Sequence, residues 1–281
     1  MLDIPWRDLW RYRDLVTMFS LRDISAQYKQ TVLGPAWFVL QPLLTTFVFS
    51  FIFGRFAFGG TAQKGVENTP HFLFYMSGLI VWGFFADCAN KTSTTFNKNA
   101  QLFGKVYFPR LAVPLAQVLT NLIAFSVQFG VFLIGMLFYY VKRNWVADPL
   151  HPIHFDPNWR VLLLPVFLLM AGMLGVGVGL IISALSTRYR DLAMATAFGL
   201  QLWMYGSSVA FPVSAINDPF TVKLLSLNPM VPILEAMRFG FLGFGTVTLS
   251  QFALSGVVCA VVFFIGVIMF NRTEQDVMDT V

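Results

Sequence analysis

Residues 96–114, FNKNAQLFGKVYFPRLAVP, decide how the rest of the chain is read. They sit between two long apolar runs and are too polar to lie in lipid. Lys98, Lys105 and Arg110 make the stretch basic, while Tyr107, Phe108, Pro109 and Pro114 divide it into a short helix and a stiff corner. A basic, structured connection between membrane spans belongs on the cytosolic side. Two roles suit it: an ordinary anchoring loop, or a place where something outside the membrane pushes on the protein.

Composition says why lipid is the right solvent to consider. A soluble domain carries about 25% charged residues; these 281 residues carry 12%, with 57% hydrophobic and a mean hydropathy of +0.67. That balance indicates an all-α integral membrane protein. Its 31 phenylalanines and seven tryptophans suit a lipid-facing surface with interfacial anchors. The net charge of +5 suits an inner face against anionic lipid, and its dispersal over several loops does not indicate nucleic-acid binding. Cys88 and Cys259 lie far apart in apolar segments, with no disulfide framework or metal spacing. The chain begins MLDIPWRDLWRYRDL, charged from the outset and without a cleavable hydrophobic region.

Working outward, residues 4–19 place Trp6, Leu9, Tyr12, Val16 and Phe19 at helical spacing, with Arg7, Arg11 and Asp14 mostly on another face. Such a helix, with Trp6 and Trp10 at headgroup level and Arg7 and Arg11 toward water, lies in the membrane interface. A soluble surface helix is the alternative. Gly34-Pro35 is the corner where it turns into the first span. Residues 1–34 are thus an interface helix and connector, and 35–281 the transmembrane unit. Six spans are expected at about 36–58, 71–96, 111–141, 161–186, 192–212 and 250–271, each near the roughly 20 residues that cross the hydrocarbon.

The second span turns polar halfway, as ADCANKTSTTFNKN, without a turn signal. An ionised group at mid-bilayer costs at least about 2.5–3.5 kcal/mol, so Asp87 is expected to face the interior with Lys91, four residues on, as its partner. Lys91 snorkelling to the interface is the alternative. His151 and His154, near Asp148 and Asp156, form a structural loop better than a metal site. The fourth span carries Ala171, Gly175, Gly179 and Ser183 at four-residue spacing, a stripe that lets another helix approach closely. Residues 213–248 hold apolar patches too short to cross, broken by Pro219, Pro229 and Pro232, and suit helices that dip into the membrane and return. With both termini inside, 12 basic residues lie inside and 7 outside, Arg238 among the latter.

There is no phosphate-binding loop, no G-x-S-x-G elbow and no H-E-x-x-H pair. Ion-coupled carriers place ionisable groups near the midplane, and here they are almost limited to Asp87 and Glu235. A chain with neither fuel site nor ion relay takes its energy from a partner. Three stretches, RDISAQYKQTVLGPAWFVLQPL, NAQLFGKVYFPRLAVPL and ISALSTRYRDL, together resemble the membrane subunit of bacterial ABC-2 exporters for O-antigen, capsule and teichoic-acid polysaccharides. The likeness covers nearly the whole chain, with the motifs in the family's order.

The resemblance implies a homodimer of six-span permeases in the bacterial inner membrane, both termini cytoplasmic, joined to two cytosolic ATPase subunits. It implies a transport subunit that is not itself an enzyme. No cofactor belongs to this chain, ATP and Mg being bound by the partner. It implies that residues 97–109 form a coupling helix, with Asn99, Gln101, Leu102, Lys105, Val106, Tyr107, Phe108 and Pro109 contacting the ATPase, and Arg188, Tyr189, Arg190 and Asp191 in the second inner loop. In that role Leu102, Val106 and Phe108 can enter an apolar cleft on the partner while Lys105 meets its rim. Pro229 falls at the asparagine-proline of the re-entrant region. A channel for a lipid-linked glycan presents aromatic faces, and Trp37, Phe38, Phe47, Trp203 and Tyr205 are the candidates. Lipid contact competes for each phenylalanine; the N–H of Trp203 and O–H of Tyr205 need polar partners. An ABC-2 drug or lipid exporter with the same fold is the second reading. A membrane-embedded transferase is the third, but it would need catalytic carboxylates clustered at one interface, and none cluster.

Overall fold

The computed structural model describes residues 11–29, 31–57, 69–96, 98–99, 108–145, 157–189 and 191–278. It is helical, with no strand among the described residues. The helices are α1 (Arg13–Tyr28), α2 (Trp37–Phe51), α3 (His71–Ser93), α4 (Ala112–Trp145), α5 (Leu164–Ser186), α6 (Asp191–Tyr205), α7 (Pro219–Ser226), α8 (Met230–Leu242) and α9 (Leu249–Met278). Five segments are long and apolar enough to cross a membrane: Gly34–Gly54, His71–Ser93, Ala112–Lys142, Trp159–Ser186 and Leu249–Thr273.

The fifth expected span differs. Its helix, α6, stops at Tyr205 after 15 residues, a rise of about 22 Å against roughly 30 Å of hydrocarbon. The reason is local: Gly206, Ser207 and Ser208 follow, and the Ser207 hydroxyl donates back to the Trp203 carbonyl, competing with the helical ladder. The last helix, α9, continues past the expected residue 271 to Met278. The N-terminal helix also runs further than the expected residue 19, to Tyr28.

α3 is the hub. Leu73, Phe74, Tyr75, Met76, Ile80 and Phe85 are fully buried, because α2, α4, α5, α6 and α8 all pack around this one helix. The small-residue stripe does what its spacing implies. A Cβ on Gly175 would lie 2.6 Å from the Phe85 carbonyl oxygen, and one on Gly179 would lie 2.8 Å from that of Ala89, both on α3. Only glycine permits backbones this close. On another face of α5, Gly177 meets Gly266 of α9 in the same way, each with backbone of the partner helix inside 3 Å of an added Cβ. α5 is thereby clamped between α3 and α9.

α1 lies along the start of α4. Phe19 and Ser20 are buried, and the hydroxyls of Ser20 and Thr120 are 3.0 Å apart. Gly34 then takes φ +53°, a conformation L side chains rarely adopt, and begins a tight turn over Gly34–Ala36 into α2. That is the corner read from Gly34-Pro35. α7 and α8 have 8 and 13 residues, too short to span, as the proline-broken sequence implies.

Candidate functional site

Three polar features stand out in this apolar body, one at each end and one between. The first lies at the end where α3 and α9 begin. Asn228 caps α8, its Oδ1 accepting from the Met230 N–H at 3.1 Å. Its Nδ2 donates to the Gly206 carbonyl and the Ser207 hydroxyl, each at 2.9 Å. The asparagine-proline thus ties the start of α8 to the end of α6. Two turns on, Arg238 is fully buried and Glu235 is 2% exposed, in a 3.2 Å ion pair. Arg238 Nη1 also donates to the Ser208 carbonyl at 2.7 Å, and Nη2 to that of Val209 at 3.0 Å. The guanidinium lies 3.9 Å from the centre of the Phe74 ring, a cation–π contact in a desolvated setting.

Arg238, counted above with the outer-side cations, is a buried and paired charge. Charges are buried when paired and hydrogen-bonded, and here two backbone carbonyls, a carboxylate and a ring surround the guanidinium. Ser208 sits at φ +58°, a left-handed conformation costing about 1–3 kcal/mol. It is held there by Arg238 on its carbonyl and by its own hydroxyl donating to Glu235 Oε1 at 3.0 Å. Gly78 of α3 makes the room: a Cβ there would lie 2.8 Å from Arg238 Nη2. The readable signal was Glu-x-x-Arg, which puts both charges on one face of α8.

The second feature is the opposite end, where α3 ends and α5 gives way to α6. The Phe96 N–H donates to Ser183 Oγ at 3.4 Å, and the Phe96 ring stacks on Phe270 at 4.4 Å. The end of α3 is therefore held beside the end of α5, whose following turn carries Arg188, Tyr189 and Asp191, all exposed. The Arg188 guanidinium lies 5.7 Å from the Tyr189 ring. Asn99 is half-buried and donates to the Thr95 carbonyl at 3.0 Å. Gln101, Leu102, Lys105, Val106, Tyr107 and Arg190 lie outside the described residues, as do Trp6, Arg7 and Trp10; Arg11 is exposed and Pro109 half-buried.

Phe108 corrects an expectation. It is 6% exposed, its ring edge-on to Phe19 of α1 at 5.7 Å. It therefore anchors α1 to this chain's own body and is not available to enter a cleft on another subunit. Arg110 is buried too.

The third feature runs along α3. Gly83, Ala86, Asp87, Asn90, Lys91 and Thr94 recur at helical spacing and form its accessible side. A Cβ on Gly83 would meet nothing within 4 Å. Asp87 is exposed on the single chain, against the expectation that it faces the interior. Lys91 turns aside from it: Nζ donates to Asn121 Oδ1 of α4 at 2.6 Å, and the Asn121 amide donates to Cys88 Sγ at 3.5 Å. The i,i+4 spacing was right for a shared face, but the lysine found a neighbouring helix first.

α2 and α6 both pack on α3 and are otherwise open, with one and two buried residues respectively. Thr46 is the one buried residue of α2; Trp37 is 41% exposed, Phe47 64% and Tyr205 49%, while Phe38 is half-buried. Trp203, the other channel candidate of α6, is half-buried. Its ring packs edge-on against Trp82 at 6.2 Å and Phe85 at 5.2 Å, so it serves the α3–α6 contact.

The chain matches the ABC-2 type transporter membrane family over residues 15–242. It is 28% identical over 234 residues to an O-antigen export system permease protein of Myxococcus xanthus, spanning 83% of this chain and 82% of that one. It is 24% identical over 264 residues to a protein of the same description from Klebsiella pneumoniae, spanning 93% and 92%. The match takes in every helix from α2 to α8, the exposed polar side of α3 and the buried pair on α8, and the chain is a member of the ABC-2 type transporter family.

Proposed function

We propose that this chain is the transmembrane subunit of an ATP-driven exporter that moves a lipid-linked polysaccharide across the bacterial inner membrane. The relatives named above are O-antigen export permeases. The observation that carries the reading into this molecule is the accessible polar side of α3. An ionised carboxylate facing lipid costs at least about 2.5–3.5 kcal/mol, so Asp87, Asn90 and Thr94 need an aqueous or hydroxyl-rich neighbour. With a second copy facing the open sides of α2 and α6, these residues line a wet conduit, and Phe47 and Tyr205 offer ring faces to sugar C–H groups.

ATP and Mg belong to a separate subunit, since the sequence carries no phosphate-binding loop. Residues 97–109 and 188–191 are its docking segments. Both termini are cytoplasmic. The test is reconstitution of the permease with its ATPase in vesicles carrying lipid-linked glycan. ATP-dependent appearance of glycan across the bilayer supports the reading. Transport of short amphiphiles but not of glycan makes this a lipid or drug exporter instead.

A further inference from the structure

A cavity of about 90 Å³ lies between α7, α8 and the segment leading into α9. Val222, Val231 and Val247 supply apolar wall, and Ser226, Glu235 and Gln251 supply polar groups. Roughly 10–15 Å³ on this measure holds one water, so the space admits several waters or the edge of one sugar ring.

Glu235 is the decisive group. Its Oε1 receives two hydrogen bonds, from the Ser208 hydroxyl at 3.0 Å and Arg238 Nη1 at 3.2 Å. The 3.2 Å pairing with the Arg238 guanidinium favours the carboxylate form, which is acceptor-only. Oε2 receives no hydrogen bond from any described residue, and the side chain's accessible sliver is 2%. Each carboxylate oxygen can take about two donors, so Oε2 is the unused acceptor of a charged group otherwise sealed in protein.

We infer that this cavity binds the adjacent hydroxyls of a single neutral sugar residue, with Glu235 Oε2 as the acceptor and Ser226 and Gln251 as further partners. The charge balance selects this class. Arg238 already neutralises Glu235, so a cationic headgroup gains nothing there. A phosphate would meet the exposed carboxylate oxygen. Neutral hydroxyls donate to Oε2 without either conflict, and the valines suit the C–H face of a pyranose. The inference rests on reading the chain as a glycan exporter. It places a sugar subsite at the end of the molecule opposite the ATPase-docking end, beside the α6–α8 latch.

The experiment uses the permease–ATPase complex in lipid nanodiscs and saturation-transfer NMR. The probes are methyl α-mannopyranoside and, as a charged control, glucose 6-phosphate. Wild type is expected to transfer saturation to the neutral glycoside and weakly to the phosphate. Val247→Trp, which fills the cavity while leaving both residues of the ion pair in place, is expected to abolish the neutral signal, because the glycoside no longer enters. Val222→Trp fills it from α7 and stands in if Val247→Trp does not fold. Equal transfer in wild type and the folded filled variants overturns the subsite, as does preference for the phosphate. No transfer to a folded wild type means the cavity holds water only, which overturns it too. Export by the same complex is scored separately. A wild type that exports glycan without binding the probe loses the subsite and keeps the function, and one that binds without exporting does the reverse.

Discussion

Arg238 gathers more interactions than any other polar side chain described here: two carbonyls, Glu235 and the Phe74 ring. Removing one member of a buried, hydrogen-bonded pair strands the other, typically at about 3–5 kcal/mol. Glu235→Ala and Arg238→Ala are each expected to destabilise the permease by that order, read as loss of monodisperse protein on heating in detergent. Arg160→Ala removes exposed contacts 4.3 Å from the Phe239 ring and 6.0 Å from the Trp159 ring and is expected to change stability by less than about 1 kcal/mol. A comparable loss from Arg160→Ala would mean that burial is not what makes Arg238 costly to remove.

Among the elements, the α3–α5 seam is set by backbone contact, so its glycines are not interchangeable with the one on the open side of α3. Gly175→Ala puts a Cβ 2.6 Å from the Phe85 carbonyl and 2.9 Å from Cys88 Cβ and is expected to cost about 1–3 kcal/mol as the helices part. Gly83→Ala, with nothing within 4 Å, is expected to be neutral or slightly stabilising, since alanine is the better helix former. Thermal scans of the two variants side by side decide it; equal losses would sink the seam argument. α7 has a pH dependence of its own. Asp218 caps it by accepting from the N–H groups of Phe220 and Thr221, and hydrogen bonds from the Thr221 hydroxyl and amide hold its carboxyl below the usual range. A depressed pKa gives stability that is present above the unfolded value and lost as pH falls through the folded one. Amide exchange at Thr221 is therefore expected to accelerate only at pH below the ordinary aspartate range, and Asp218→Ala to abolish that step.

On the scale of the whole molecule, two of the surfaces left open in the single chain bear on its assembly. The sides of α2 and α6 expose Phe47 at 64% and Phe198 at 66%, and a second copy is expected to cover them. Cys88 and Cys259 are buried, so single cysteines at Phe47 and Phe198 report cleanly. Disulfide-linked dimer at either position, formed in the membrane before detergent is added, is the expected result; monomer at both argues that lipid covers these faces. The other surface is the turn after α5. Tyr189 is 54% exposed, and truncating an aromatic anchor at an interface commonly costs about 2 kcal/mol, roughly thirtyfold in affinity. Tyr189→Ala is expected to leave the permease folded and weaken ATPase co-purification. Phe108→Ala is expected to act differently, loosening α1 from the body, because its ring is already committed to Phe19.

Charge content, run lengths and the Ala171–Gly175–Gly179–Ser183 stripe determined on their own that this is a helical membrane protein with a close-packed fourth span. These are statements about solvent and about one helix face, and both follow from composition and period alone. The corner at Gly34-Pro35 and the two short helices after residue 212 were legible for the same reason, since glycine and proline act on their own backbone. What individual side chains do was not legible, because a partner from elsewhere in the fold decides it. Asn121 took Lys91 away from Asp87, Phe19 took Phe108, and Trp82 and Phe85 took Trp203. The α8 pair shows the limit most plainly. Glu-x-x-Arg spacing put both charges on one face, but only the end of α6, with Ser208 turned left-handed and two carbonyls freed, made burial of a guanidinium possible. Tertiary structure decides such sites because a buried charge is tolerable only where groups distant in sequence converge to satisfy it.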